Sequence, residues 1–240
     1  MDTKLASPFA LLKQAWALGY SKSNVLLFLG LGTLPQILSF GFSALLAYAP
    51  GSNNLESTIT DFLAQTNGWM IAAIGALALL GIVLMIYVGT WYSAFLYRVY
   101  EATVSGSNGR LSSHISSARL VTKRLFFTSI KVGVYATIGF LLFVIPGIII
   151  TVRYAFAPLI ATLEDSSVSP LGESKRLVKN RFWKLAGRGL IPFFLYSIPL
   201  SLFQSLHPLL GALWSLSSPV FGLYFYLVYL DFKRTAAVPA

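Results

Sequence analysis

Long apolar runs alternate with short basic ones along this chain, and the alternation predicts helices in two settings. Ser7 and Pro8 supply a cap and a first helical residue, and Leu5, Phe9, Leu12, Trp16 and Tyr20 recur at spacings of three and four. With Lys4, Lys13 and Lys22 alongside, this stretch predicts an amphipathic helix in the membrane interface, Trp16 at headgroup depth, in preference to a plain cytoplasmic lead-in. Residues 24–49 then form a first apolar span that Pro35 kinks. Residues 50–67 are polar and hold Glu56 and Asp61 but no Lys or Arg, which predicts an outside loop. A second span over residues 69–100 carries Gly75, Gly81 and Gly89, and runs into the aromatic group Trp91, Tyr92, Tyr97 and Tyr100 beside Arg98.

The same alternation continues. After a Ser-Gly-Ser-Asn-Gly turn at 105–109, Leu111, Ile115, Ala118, Thr122 and Leu125 share one stripe, with Arg110, Arg119, Lys123 and Arg124 supplying charge. This predicts a second interfacial helix, followed by a third span over residues 126–145. At Pro146-Gly147 the apolar run breaks. Its return through Ile148 to Leu163 rises about 24 Å, short of a typical ~30 Å hydrocarbon core, so residues 126–163 read as two spans or as a re-entrant hairpin. Ser169-Pro170 opens a third amphipathic helix over residues 169–188, with Glu173 where the helix dipole favours an acid. Its apolar face is Leu171, Val178, Phe182 and Leu185. Its other faces carry Lys175, Arg176, Lys179, Arg181, Lys184 and Arg188. A fifth span at 190–206 contains Pro192 and Pro199, and after a His207-Pro208 turn a sixth at 210–230 ends at Asp231, Lys233 and Arg234.

The pattern predicts an all-α integral membrane protein with six transmembrane or re-entrant helices and three interfacial amphipathic helices. Both termini are assigned to the cytoplasm, because every Lys and Arg except Arg153 then falls inside, with Lys131 snorkelling from the third span. Residues 1–240 form a single polytopic domain in which a helix plus an apolar hairpin recurs over 7–100, 111–163 and 169–231. LLKQAW at 11–16 against LVKNRFW at 177–183 is the best residue match between units, so the recurrence is architectural.

Composition narrows the class. With 56% hydrophobic and 11% charged residues and a mean hydropathy of +0.71, the chain is too apolar for an ordinary soluble domain, in which about a quarter of residues are charged. The net charge of +10 comes from cations that flank apolar spans, so anionic lipid is a more economical partner than nucleic acid. No cysteine is present, which removes disulfides and thiolate ligation, and the N-terminus lacks the basic tip and compact apolar core of a cleavable signal.

Candidate chemistry is sparse. His114 and His207 fall on opposite sides of the membrane in this topology, and no Gly-rich phosphate loop occurs, so no catalytic residue, metal ligand or cofactor site is assigned. Arg153 is the costly residue, roughly 10 Å from the outer end by helical rise if the chain turns at Pro146. It either faces a polar cavity or a lipid phosphate, or it snorkels to carbonyls freed by the Pro-Gly break. The candidate lipid or ligand contacts are therefore Arg153, Pro146 and Gly147 in the hairpin, and Lys175, Arg176, Lys179, Arg181, Trp183 and Lys184 in the basic helix. For the latter group, ordinary inside-flanking charge is the alternative to lipid binding.

At IPGIIITVRYAFAPLIATLED followed by SPLGESKRLVKNRFWKL, the chain resembles the YciC-like bacterial inner-membrane proteins. It is also similar to the membrane domain attached to some glycerophosphodiester phosphodiesterases. The likeness is concentrated in residues 143–185, around the Pro-Gly break, the Ala-Pro return, the acidic turn, Ser174 and Trp183. It implies a multi-pass protein of the bacterial cytoplasmic membrane, without an established activity in its stand-alone members. Phosphodiesterase chemistry is not implied, since that needs a soluble barrel with clustered acids, histidines and a metal. The expected function is non-enzymatic: organising the membrane or supporting a membrane complex through basic interfacial helices on anionic lipid, with a protein partner or a second copy as further company. The alternative is a small transporter or lipid-handling protein whose Pro-broken helices line a polar pathway at Arg153.

Overall fold

The computed structural model describes residues 5–47, 67–107 and 111–236, with side chains described through residue 37 in the first stretch. Among them the chain forms helices and no strand. In order these are α1 (Pro8–Gly19), α2 (Val25–Ala47), α3 (Gly68–Ser105), α4 (Leu111–Leu142), α5 (Val144–Arg153), α6 (Ala157–Leu163), α7 (Pro170–Val178), α8 (Phe182–Leu206), α9 (Pro208–Ser215) and α10 (Ser218–Ala236). Among the described residues five segments are long and apolar enough to cross a membrane: α3, α4, α5 with α6, α8, and α9 with α10. These are the helices of a multi-pass membrane protein. The predicted first span is the 23-residue α2, which keeps Pro35 inside it. The predicted outside loop with Glu56 and Asp61, together with Lys4 and Arg110, lies outside the described residues.

Several local predictions are corrected. The hairpin turns at Phe143, whose extended backbone (φ −166°, ψ 157°) precedes α5, and not at Pro146-Gly147. Pro146 occupies the first turn of α5, where a missing N–H costs nothing because the first four amides of a helix have no intrahelical acceptor. Starting the return at Val144 lengthens it, and α5 with α6 is long enough to cross. The return is interrupted instead at Tyr154, Ala155 and Phe156. The second interfacial helix and the third span are one continuous helix, α4, since nothing between Leu125 and Phe126 interrupts its hydrogen bonding. The third amphipathic helix is split at Asn180, in a left-handed conformation (φ 62°) that asparagine tolerates better than most residues. Leu171 and Val178 therefore lie on a different helix from Phe182 and Leu185.

In α1 the stripe drawn from the sequence packs only in part: Leu12, with Leu5 and Tyr20 at the flanks of the helix, lies partly buried against the core. Leu11, Ala15 and Gly19 are buried, whereas Phe9 and Trp16 are exposed. Small residues let α1 approach α10 closely: a Cβ on Gly19 would stand 2.9 Å from a Val220 methyl. Ser7 makes no side-chain cap bond, while Ser169 does accept from the Gly172 amide.

The main core centres on α10, where Val220, Leu223, Tyr224, Tyr226, Leu227, Val228, Tyr229 and Phe232 are buried. Around them stand Leu11 and Ala15 of α1, Phe28, Tyr100, Leu159 and Ile160 of α6, Leu177 and Val178 of α7, and Leu185. Phe156, fully buried, has the rings of Phe225, Tyr229 and Phe232 at 5.4–5.7 Å, and burying a side chain of its size contributes roughly 1.5–3 kcal/mol. Tyr100, from the aromatic group beside Arg98, is part of this core.

Candidate functional site

The break between α5 and α6 leaves backbone groups that a single side chain satisfies. Ser174 of α7, fully buried, donates to the Arg153 carbonyl at 3.0 Å and accepts the Phe156 amide at 3.2 Å. A helix interruption otherwise costs unpaired polar groups, so this one hydroxyl makes the interruption tolerable. The acidic turn is anchored similarly. Arg124 donates to the carbonyls of Glu164 (2.7 Å) and Val168, tying α4 to the loop before α7. Glu164 accepts from Tyr229 and Lys233 of α10. Burial pushes its pKa up, but the bonds from Lys233 and Tyr229 and the charges of Lys233 and Arg124 outweigh that, and it ends below its ordinary 4.5. Glu173 is lowered mainly by its hydrogen bonds from Arg176, partly opposed by burial.

A second polar centre lies between α1, α8 and α10. Arg188, 7% exposed, forms an ion pair with the equally buried Asp231 at 3.5 Å and donates through Nη2 to the Ala6 carbonyl. Its guanidinium also lies 5.5 Å from the Phe232 ring centre. Asp231 is shared, since it accepts the Ala6 amide at 2.9 Å and Arg234 at 3.0 Å. Arg188 Nη1, buried, makes no hydrogen bond. Tyr224 donates to the Arg188 carbonyl, which holds α8 against α10.

A cavity of about 590 Å³ opens beside this centre. One wall is basic, formed by Arg181, Lys184 and Arg188 with Trp183; Leu5, Pro8 and Ile191 supply apolar surface, and Gly187 lies between. Arg181 is fixed by donating to Thr235 through its hydroxyl (2.6 Å) and carbonyl (3.1 Å). Trp183 is 83% exposed. A second cavity, about 320 Å³, is more polar and lies between the α1–α2 turn and the end of α3, with Ser21, Asn24, Thr103 and His114 among its lining residues.

The predicted contacts are thereby sorted. Arg181, Trp183 and Lys184 come together around one cavity. Lys175 and Arg176 stand exposed on α7, Arg176 paired with Glu173 at 2.6 Å, and Lys179 is exposed at the break before α8. Arg153 ends α5, exposed, and lines neither cavity; with the turn at Phe143 it is about 15 Å along the return by helical rise. Pro146 and Gly147 belong to the packing of α5 on α4, where a Cβ on Gly139 would be 3.0 Å from the Gly147 Cα. Arg188 and Asp231 were missing from the candidate residues. The available signal was an acid closing an aromatic span, YFYLVYLD, opposite an arginine opening another.

Comparison with protein-family models, with curated proteins and with solved structures finds no match to this chain.

Proposed function

We propose that this chain is a non-enzymatic, YciC-like protein of the bacterial cytoplasmic membrane. It organises the membrane or supports a membrane complex through a basic inner face that contacts anionic lipid. The reading rests on one observation: the cations of α7, the start of α8 and the end of α10 share the end of the bundle that holds the core. There Glu164 is committed to Lys233, Glu173 to Arg176, and Asp231 to Arg188 and Arg234, whereas Asp165 is exposed and, among the described residues, in no salt bridge. Lys175, Lys179 and Lys184 are left exposed as surplus positive charge. A cation at an anionic leaflet contributes about 1 kcal/mol of attraction, so such a face concentrates anionic headgroups. The positive-inside bias makes this the cytoplasmic face and puts both termini inside, with α2 as the sixth span. Commitment of Glu164, Glu173 and Asp231 to ion pairs also disfavours general acid or base work by them. Transport through Arg153 has less support, because neither cavity reaches it.

The test is purification of the full chain in polymer-bounded native membrane discs, with mass spectrometry of the retained lipids and proteins. Enrichment of anionic phospholipid over the bulk membrane is expected. A retained lipid composition equal to the bulk overturns the lipid-contact reading, and a stoichiometric non-lipid amphiphile would favour transport.

A further inference from the structure

We infer that the cavity between the start of α1 and the first turns of α8 is a specific site for the phosphodiester headgroup of an anionic phospholipid. The inference deepens the lipid-contact reading above and rests on it. Charge comes first. Arg181, Lys184 and Arg188 line the cavity, and among the described residues no carboxylate does. The nearest acid to Arg188, Asp231, is divided among the Ala6 amide, Arg188 and Arg234, so it does not cancel three cations. Arg188 is more than nine-tenths buried, and its Nη1 makes no hydrogen bond but stands 3.5 Å from the shared Asp231 Oδ2, an incomplete pairing that an oxyanion nearby supplements electrostatically. The first turn of α8 adds to this: Arg181, the residue before the helix, makes no side-chain cap bond, so the free amides present the positive end of a 25-residue helix.

Shape decides between a free anion and a lipid. A volume of about 590 Å³ is that of a ligand cleft and larger than a bare oxyanion needs. Leu5, Pro8 and Ile191 offer apolar surface next to the cations, which suits a glycerol backbone and the start of an acyl chain. Trp183, highly exposed at the rim, is the residue type that settles at headgroup depth. Gly187 keeps the space open, since a Cβ there would meet no atom within 4 Å.

The experiment uses the full chain, delipidated in a non-ionic detergent, and native mass spectrometry with short-chain phosphatidylglycerol, short-chain phosphatidylcholine or glycerol 1-phosphate. Three variants are compared: Gly187→Leu, which fills the cavity without changing charge; Lys184→Ala, inside it; and Lys123→Ala, an exposed cation on α4. The wild type should bind one phosphatidylglycerol preferentially. Gly187→Leu should weaken this at least ten-fold, Lys184→Ala roughly five-fold, and Lys123→Ala less than two-fold. Undiminished binding by Gly187→Leu, or equal losses in Lys184→Ala and Lys123→Ala, would overturn the site and leave diffuse attraction to anionic lipid standing. Glycerol 1-phosphate binding as tightly as the lipid would make it a site for free phosphate esters instead. No preference for phosphatidylglycerol over phosphatidylcholine in the wild type defeats both the site and the broader reading.

Discussion

Within α3, one continuous helix, an aliphatic outer half and an aromatic, partly polar inner half have opposite fates. From Trp69 to Val88 every residue is exposed, Leu77, Leu79, Leu80 and Met85 each by more than 60%. From Thr90 onward Ala94, Phe95, Val99 and Tyr100 are buried, against Leu31, Ala118, Leu125 and the α10 cluster. The neighbours differ accordingly: lipid tails satisfy an aliphatic face as well as protein does, so the outer half needs no partner helix. The inner half carries the groups that lipid cannot satisfy. Tyr92 donates to the Leu31 carbonyl at 2.6 Å, Arg98 pairs with Glu101 at 3.0 Å, and Tyr100 lies where a Cβ on Gly222 would strike its hydroxyl. Specific structure is therefore concentrated where polar and aromatic groups require it.

That contrast can be tested by substitutions of graded effect. The largest losses should come from the inner end. Arg188→Leu leaves Asp231 buried beside a single exposed arginine and should cost about 3–5 kcal/mol in reversible unfolding in mixed micelles. Adding Asp231→Leu should recover a large part of it; no recovery would mean that the pair is not what holds α8 to α10. Phe156→Ala should cost a similar ~3–5 kcal/mol by removing the ring that Phe225, Tyr229 and Phe232 surround.

Smaller is the effect at the helix break. Ser174→Ala strands the Arg153 carbonyl and the Phe156 amide, and a loss of about 1–3 kcal/mol is expected with faster amide exchange at Phe156. Unchanged exchange there would refute the bridging role. Next in size is a pH effect at Glu164. Its pKa is lowered by folding, so its contribution is complete above the ordinary 4.5 and disappears as the pH falls through the folded value. Glu164→Gln should therefore lower the melting temperature at neutral pH and flatten the decline on acidification. A variant that tracks the wild type across that window would remove Glu164 as a clamp. Leu79→Ala should have the least effect, within about 0.5 kcal/mol, because that side chain is 65% exposed. A loss as large as that at Phe156 would mean that a partner covers the outer half.

Much of the fold is legible in the sequence alone. The apolar runs located α2, α3, α8 and the α9–α10 pair, and Ser169 was correctly read as a helix cap. Less legible was where helices start and stop. Pro146-Gly147 reads as a turn because proline is a breaker in a helix interior, but as the third residue of a helix it breaks nothing. Gly147 and Gly139 serve instead as a close crossing of α4 and α5.

The candidate contacts divide in the same way. Arg181, Trp183 and Lys184 could be picked from sequence because charge and an aromatic flank an apolar run, a local pattern that survives any packing. Their gathering around a cavity with Leu5 and Pro8, and the pairing of Arg188 with Asp231, depend on α1 and α10 meeting α8. Hydropathy sums over neighbours along the chain and so suffices for membrane class, helix content and approximate spans. Which apolar face meets protein and which meets lipid is a question of non-local contact, and Leu11 and Ala15 inside with Phe9 and Trp16 outside could not be ranked without it.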